Sequence, residues 1–258
     1  RAAPSEAAPR AYAPRHLAER ILGQRAAIEG ERKQVTVLFL DMKGSMEIAS
    51  EVDPEEWHAL MDRFFVIASA AVHRWEGTVN QYAGDGIMAL FGAPLALEDH
   101  AERACHAALD LAAEFARTAD DLKRERGFGF AVRIGLNSGE VVVGSIGDDL
   151  RMDYTAQGHT VGLAQRMESC AAADTTYLTA HTARLVEGYF QLRDLGDFDV
   201  KGVSAPLRAY ELQGVGSLRT RLDASRARGF SKFVGRDREM ATLEGALDAA
   251  IAGNGQVV

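Results

Sequence analysis

Residues 35–40, VTVLFL, form a continuous apolar run rich in β-branched positions, the pattern of a strand covered on both faces. A turn at Gly44-Ser45 then opens a long helical stretch in which Leu60, Phe64, Ile67 and Ala71 recur at helical spacing, so that face is predicted core. Two further extended segments, 78–83 and 87–91, are separated only by Gly84-Asp85-Gly86, which predicts a tight hairpin with an acid at its tip. A second helical pattern covers 98–126 through Ala101, Ala104, Ala108, Leu111 and Phe115. Strand candidates follow at 130–136 and 140–146, an extended piece at 153–157, a helix at 158–172, and closing strands at 189–200 and 207–212. The order strand, helix, strand, strand, helix, strand predicts an α+β fold with a ferredoxin-like βαββαβ core and extra strands and helices.

The pattern also divides the chain. Residues 1–30 begin Ala- and Pro-rich and continue as a short helix, 31–213 carry the main domain, and 214–231 shift to Arg, Ser and Gly as a linker does. Residues 232–258 begin a second unit, with a helix predicted at 237–251 and a strand starting at 256.

Composition narrows the class. The chain has 258 residues, net charge −8 and 47% hydrophobic content, which suits a soluble globular protein with a sizeable core. No apolar run approaches bilayer length and the N-terminal residues lack the apolar region of a secretory signal, so a cytoplasmic protein without membrane insertion is expected. The acidic balance argues against nucleic acid as a partner. Cys105 and Cys170 are the only cysteines and both fall in helical segments, which supports neither a disulfide framework nor a zinc cluster. His58, His73, His100 and His106 sit on helices without metal-ligand spacing, so packed or solvated histidines are expected there.

The chemistry is carried by acids. Asp41 ends one strand and Asp85 tips a hairpin, so adjacent strands would deliver two carboxylates to one or two hard divalent cations. Gly44 and Ser45 open a helix whose free amides would face the same space and suit phosphate. Acids and amides together describe a nucleoside triphosphate site. Taken singly, each feature also has a plain structural explanation: Asp-Gly turns are common in hairpins and Asp41 can cap a helix.

Five blocks in order, VTVLFLDMKGS, NQYAGDGIMALFG, RIGLNSGEVVVGSIG, YTAQGHTVGLAQRM and VKGVSAPLRAYEL, resemble the catalytic domain of the class III nucleotide cyclases over about 31–213. The resemblance implies a homodimer with two sites at its interface, converting ATP to 3′,5′-cyclic AMP and pyrophosphate with two Mg2+ or Mn2+ ions per site. It implies that Asp41 and Asp85 are metal ligands together with the carbonyl of Met42. Thr155 falls at the purine-reading position, Arg166 at the position that stabilises charge on the α-phosphate, and Lys201 at the position that grips the outer phosphates.

Two positions depart from the family pattern. Gln81, four residues before Asp85, stands where many adenylyl cyclases carry a purine-reading lysine, and its amide suits either an adenine or a guanine edge. Gly162 stands where the family commonly has a ribose-orienting asparagine, which implies either slow turnover or transfer of the role to another side chain such as Gln165 or His159. The expectation is an adenylyl cyclase. The alternatives are a guanylyl cyclase using GTP and a nucleotide-binding regulatory or dimerisation module without turnover. A diguanylate cyclase shares the sheet order, but AGDGI does not match the turn of that family. The end of the chain, FVGRDREMATLEGAL followed by GQVV, resembles the lead-in to an AAA or STAND-type regulatory ATPase; the phosphate-binding loop itself is not among these residues.

Overall fold

A computed structural model describes residues 31–143, 159–199, 206–218 and 235–255, with 223, 226 and 229 as single positions between them. The chain forms two compact units, Arg1–Leu218 and Arg219–Val258. In the second, the described element is a helix, Asp237–Ile251, as its periodicity predicts.

The first unit is built on β1 (Glu31–Lys43), whose apolar centre makes it the axis of a seven-stranded sheet. A Gly44 turn leads into helix α1 (Ser45–Glu51) and then α2 (Pro54–Arg74). The sequence pattern reads these as one helical stretch. Asp53 divides them, because its side chain accepts from the Glu55 N–H at 2.9 Å and Pro54 takes the first helical position, where its missing N–H costs nothing.

The hairpin of β2 (Thr78–Ala83) and β3 (Gly86–Phe91) follows, with the turn where the sequence places it. Helix α3 (His100–Arg126) leads to β4 (Ala131–Val143), which pairs with β1 along all of its length. The two strand candidates at 130–136 and 140–146 are thus one strand through Val143; residues 144–146 lie outside the described set. Helix α4 (His159–Cys170), β5 (Thr175–Thr179), α5 (Ala180–Leu185), β6 (Phe190–Phe198) and β7 (Leu207–Val215) complete the unit. The extended piece expected at 153–157 and the strand start at 256 lie outside the described residues.

The sheet order is β2-β3-β1-β4-β5-β7-β6, with β1 antiparallel to both β3 and β4. Its first four strands have the ferredoxin-like arrangement, and β5 extends it by pairing parallel to β4. β1 is covered on both faces. Leu38, Leu40 and Met42 point into one core with Phe64 of α2 and Leu111 and Phe115 of α3. Val35 and Val37 alternate to the other side, against Ala164 of α4. Phe64 stacks on Phe115 at a centroid distance of 4.6 Å, which joins the two helices over the sheet. On α2, Leu60, Phe64 and Ala71 are buried as expected; Ile67 is half-buried and Ala68 takes the central position.

Candidate active site

Alternation along β1 decides where its acid goes. Asp41 shares the parity of Val35 and Val37, so it emerges on the α4 side of the sheet, two residues before the strand ends. Its register partners are Gly86 at the start of β3 and Arg133 on β4.

Gly86 is what allows the hairpin tip to close on β1. A Cβ at that position would lie 2.4 Å from the Leu40 carbonyl oxygen, so any side chain would push the tip away. Gly84 supplies the left-handed turn conformation, φ 59°, and Asp85 follows it. The Met42 N–H donates to the Asp85 carbonyl at 3.2 Å, which fastens the turn to β1 beside Asp41. The two acids therefore stand side by side, Asp41 on β1 and Asp85 in the hairpin turn fastened to it, near enough that the charge on Asp85 raises Asp41.

The chain surrounds this pair with polar partners. Ser45, buried at the start of α1, donates its hydroxyl to Oδ2 of Asp85, and Nη2 of Arg133 donates to Oδ2 of Asp41. The same Nη2 lies 3.0 Å from Oε1 of Glu168 on α4, a carboxylate only 8% exposed. Burial, the largest influence, and the charge on Asp85 push Asp41 above the usual carboxylate range, against the Arg133 hydrogen bond that pulls it down. Burial likewise raises Glu168, with Arg133 opposing. Two crowded carboxylates sharing one guanidinium leave negative charge that a divalent cation would neutralise.

The donors suit a hard ion. Asp41 and Asp85 offer oxygen ligands, and among the described residues no group of three or more His, Cys, Asp or Glu side chains forms a closed cage. Such a pair fits Mg2+ or Mn2+, which complete their shells with phosphate oxygens and water, rather than a structural zinc.

The other expected residues fall as follows. Gly44 and Ser45 lie beside the acids; the Gly44 carbonyl accepts from the Glu47 and Ile48 N–H groups at 3.1 Å, closing the first turn of α1. Gln81 is exposed on the edge strand β2, next to the β-bulge between Val79 and Gln81 and four residues before Asp85. Gly162 and Arg166 lie one helical turn apart on the exposed side of α4, and a Cβ at Gly162 would meet nothing within 4 Å. His159 and Gln165 are exposed on the same helix. Thr155 and Lys201 lie outside the described residues.

The sequence pattern does not single out Arg133 or Glu168. The available signal was a charge inside each of two otherwise apolar surfaces: Arg133 within a buried strand, Glu168 one turn after Ala164 on the buried side of a helix.

The sequence profile described as adenylate and guanylate cyclase catalytic domain matches residues 28–214. The chain belongs to this family. Adenylate cyclase 1 of Rhizobium meliloti is 35% identical over 187 residues, which cover 71% of this chain and 28% of that protein. The chain thus spans under a third of the length of this curated relative. Among solved structures, the adenylyl cyclase CyaB from P. aeruginosa superposes with a TM-score of 0.68 at 30% identity, covering 74% of this chain and 98% of that one. The guanylate cyclase domain of RhGC from Catenaria anguillulae, in complex with GTP, superposes with a TM-score of 0.64 at 30% identity, covering 72% and 99%. The cyclase family accordingly accounts for the α+β fold and for a nucleotide cyclase domain in the first unit. No helix among the described residues is long and apolar enough to cross a membrane.

Proposed function

We propose that this cyclase domain is an adenylyl cyclase that forms 3′,5′-cyclic AMP and pyrophosphate from ATP at sites shared between two copies of the chain. The juxtaposition of Asp41 and Asp85, fastened by the Met42 N–H and crowded enough to raise Asp41, carries this reading. Bound Mg2+ or Mn2+ would neutralise the triphosphate and lower the proton affinity of the ribose 3′ oxygen. Asp41 and Asp85, with the Met42 carbonyl, would hold the ions, and Ser45 orients Asp85 by its hydrogen bond. The 3′ oxygen forms a bond to the α-phosphorus as the bond to pyrophosphate breaks. Arg166 meets the charge that accumulates on the α-phosphate, Lys201 and the amides of Gly44 and Ser45 hold phosphate, and Thr155 and Gln81 face the base.

Helix geometry favours sharing between chains. Glu168 is buried toward Arg133 and Asp41, and Arg166, two residues earlier and so about 200° away around the helix, is exposed. The arginine of one chain faces away from that chain's own acids, as a residue serving a second copy would.

Adenine is favoured by the likeness to proteins described as adenylate cyclases. Gln81 favours a second reading, because an exposed amide at that position can offer its carbonyl to guanine, and a GTP-bound guanylate cyclase domain is structurally similar. The sequence of the second unit is read as the opening of a regulatory ATPase region. Turnover of ATP and GTP, each with Mg2+ and with Mn2+, tests the proposal. Cyclic AMP from wild type, none from Asp85→Ala, and partial recovery on mixing Asp41→Ala with Arg166→Ala are expected. Cyclic GMP alone would overturn the base assignment, and unchanged product from Asp85→Ala would overturn the metal assignment.

A further inference from the structure

One face of β4 is a rail for the helix that carries Arg166. Arg133, Gly135, Asn137 and Gly139 alternate onto the same side of the strand, and all four meet α4. A Cβ on Gly135 would come within 2.1 Å of the Glu168 nitrogen and 2.3 Å of the Ala164 oxygen, and one on Gly139 within 2.7 Å of Thr160 Oγ1. The helix backbone therefore lies directly on the strand at Gly135, and the Thr160 side chain packs onto it at Gly139. Glycine contact fixes how deep the helix sits, but a smooth surface fixes neither its rotation nor its slide.

Asn137 supplies the missing direction. Its Nδ2 donates to the Thr160 carbonyl in the first turn of α4 at 2.8 Å, and its Oδ1 accepts from the Thr179 hydroxyl at 2.7 Å, which sets the orientation of the amide. The side chain is 2% exposed, so the bond is made without competition from water. Thr160 is held again through its hydroxyl, which donates to the Glu140 carbonyl at 2.9 Å. At the other end of α4, Glu168 meets Arg133. Arg166 lies between these two points on the opposite, exposed side.

We infer that Asn137 is a positioning residue for catalysis: its amide, bound between the Thr160 carbonyl and the Thr179 hydroxyl, locks the rotation of α4 and so aims Arg166 at the reacting phosphate of the partner's site. The inference rests on the shared-site cyclase reading for its consequence, and on the geometry alone for the tether.

Asn137→Leu, close in size and without either hydrogen-bonding group, tests both parts in the full chain. Hydrogen exchange of the α4 amides should quicken about tenfold with β1 and α3 unchanged, a readout that needs no activity. With metal and ATP, kcat should fall at least about tenfold while KM stays within about twofold, the mark of a contact made in the transition state. Mixed with Asp41→Ala, Asn137→Leu should recover as Arg166→Ala does, because the hybrid site takes its acids from one chain and a correctly held arginine from the other. Mixed with Arg166→Ala it should not recover. Unchanged α4 exchange, or equal recovery in both mixtures, would overturn the inference. If Arg166→Ala and Asp41→Ala fail to recover together although wild type is active, the shared-site reading falls instead, and α4 exchange with the kcat and KM of Asn137→Leu still decides the tether. Should Asn137→Leu not fold, Thr179→Val releases the amide from its orienting hydroxyl and carries the same readouts.

Discussion

Arg133 on β4 lies 3.0 Å from Glu168 on α4, and the nitrogen that makes this contact also donates to Asp41. One cation thus joins the acid of the candidate metal site to the helix that bears Arg166. Removing a single partner from such a cluster is worse than removing the charges together, because the remaining group keeps its desolvation cost and loses its counter-charge. Arg133→Met should cost about 3 kcal/mol in urea unfolding, leaving Asp41 and Glu168 to face each other. Adding Glu168→Leu should return at least about 1 kcal/mol of that loss. Additive effects of the two substitutions would show that the pair is not coupled.

A second buried polar chain lies at the start of α3. Nδ1 of His100 and Oγ1 of Thr36 are 2.7 Å apart, and the same oxygen is 2.7 Å from Oγ of Ser138. Burial, the largest influence, and the nearby His181 hold His100 below the ordinary histidine range, against the pull of Asp99. The native state therefore resists protonation more than the unfolded chain does. The stability this contributes is complete above about pH 6.5 and is lost as pH falls below it toward the native value. His100→Gln, which keeps a partner for Thr36, should flatten the decline in unfolding free energy as pH falls below about 6.5 relative to wild type. His106, also lowered chiefly by burial, would leave a residual slope of the same sign. Asp41 and Glu168, raised in the native state, tilt the curve the other way, so the comparison of variant with wild type is what isolates His100. Identical pH profiles would exclude a buried neutral His100.

Much of the site follows from local chemistry. The hairpin at 78–91 is legible because Gly84-Asp85-Gly86 permits few other conformations between two apolar runs, and Asp85 must then be its tip. Asp41 is legible because the run before it needs cover on both faces and so must be a central strand. β4 was harder. Asn137-Ser138-Gly139 has the composition of a turn, yet the strand runs straight through it because tertiary partners satisfy each residue. Asn137 reaches Thr160 and Thr179, Ser138 bonds Thr36 and Thr182, and Gly139 makes room for Thr160. The sequence pattern does not announce β5, for a related reason. It has five residues, and Asp174, with φ 58°, introduces it by a turn that its sequence does not announce. Arg133 and Glu168 are 35 residues apart and meet only when α4 lies on β4, so no local window contains the pair.

Gly162 offers a direct test of how the candidate site is completed. It stands one helical turn before Arg166, exposed, with open space around the position a Cβ would occupy. Nothing steric demands glycine there, and glycine within a helix costs about 0.5–1 kcal/mol relative to alanine. Gly162→Ala should therefore stabilise the fold modestly without raising turnover. Gly162→Asn places an amide on the side of α4 that carries Arg166, where the cyclase family commonly has one to orient the ribose. A preorganised donor at a reacting centre is worth about a hundredfold in rate, so even imperfect placement should raise kcat for ATP by about tenfold. The two substitutions separate helix stabilisation from chemistry, since both remove the glycine and only one adds a polar group. Equal activity in Gly162→Ala and Gly162→Asn, read by cyclic AMP formation at saturating Mn2+ and ATP, would mean that the ribose is oriented by another group, with His159 and Gln165 on the same helix the next to replace.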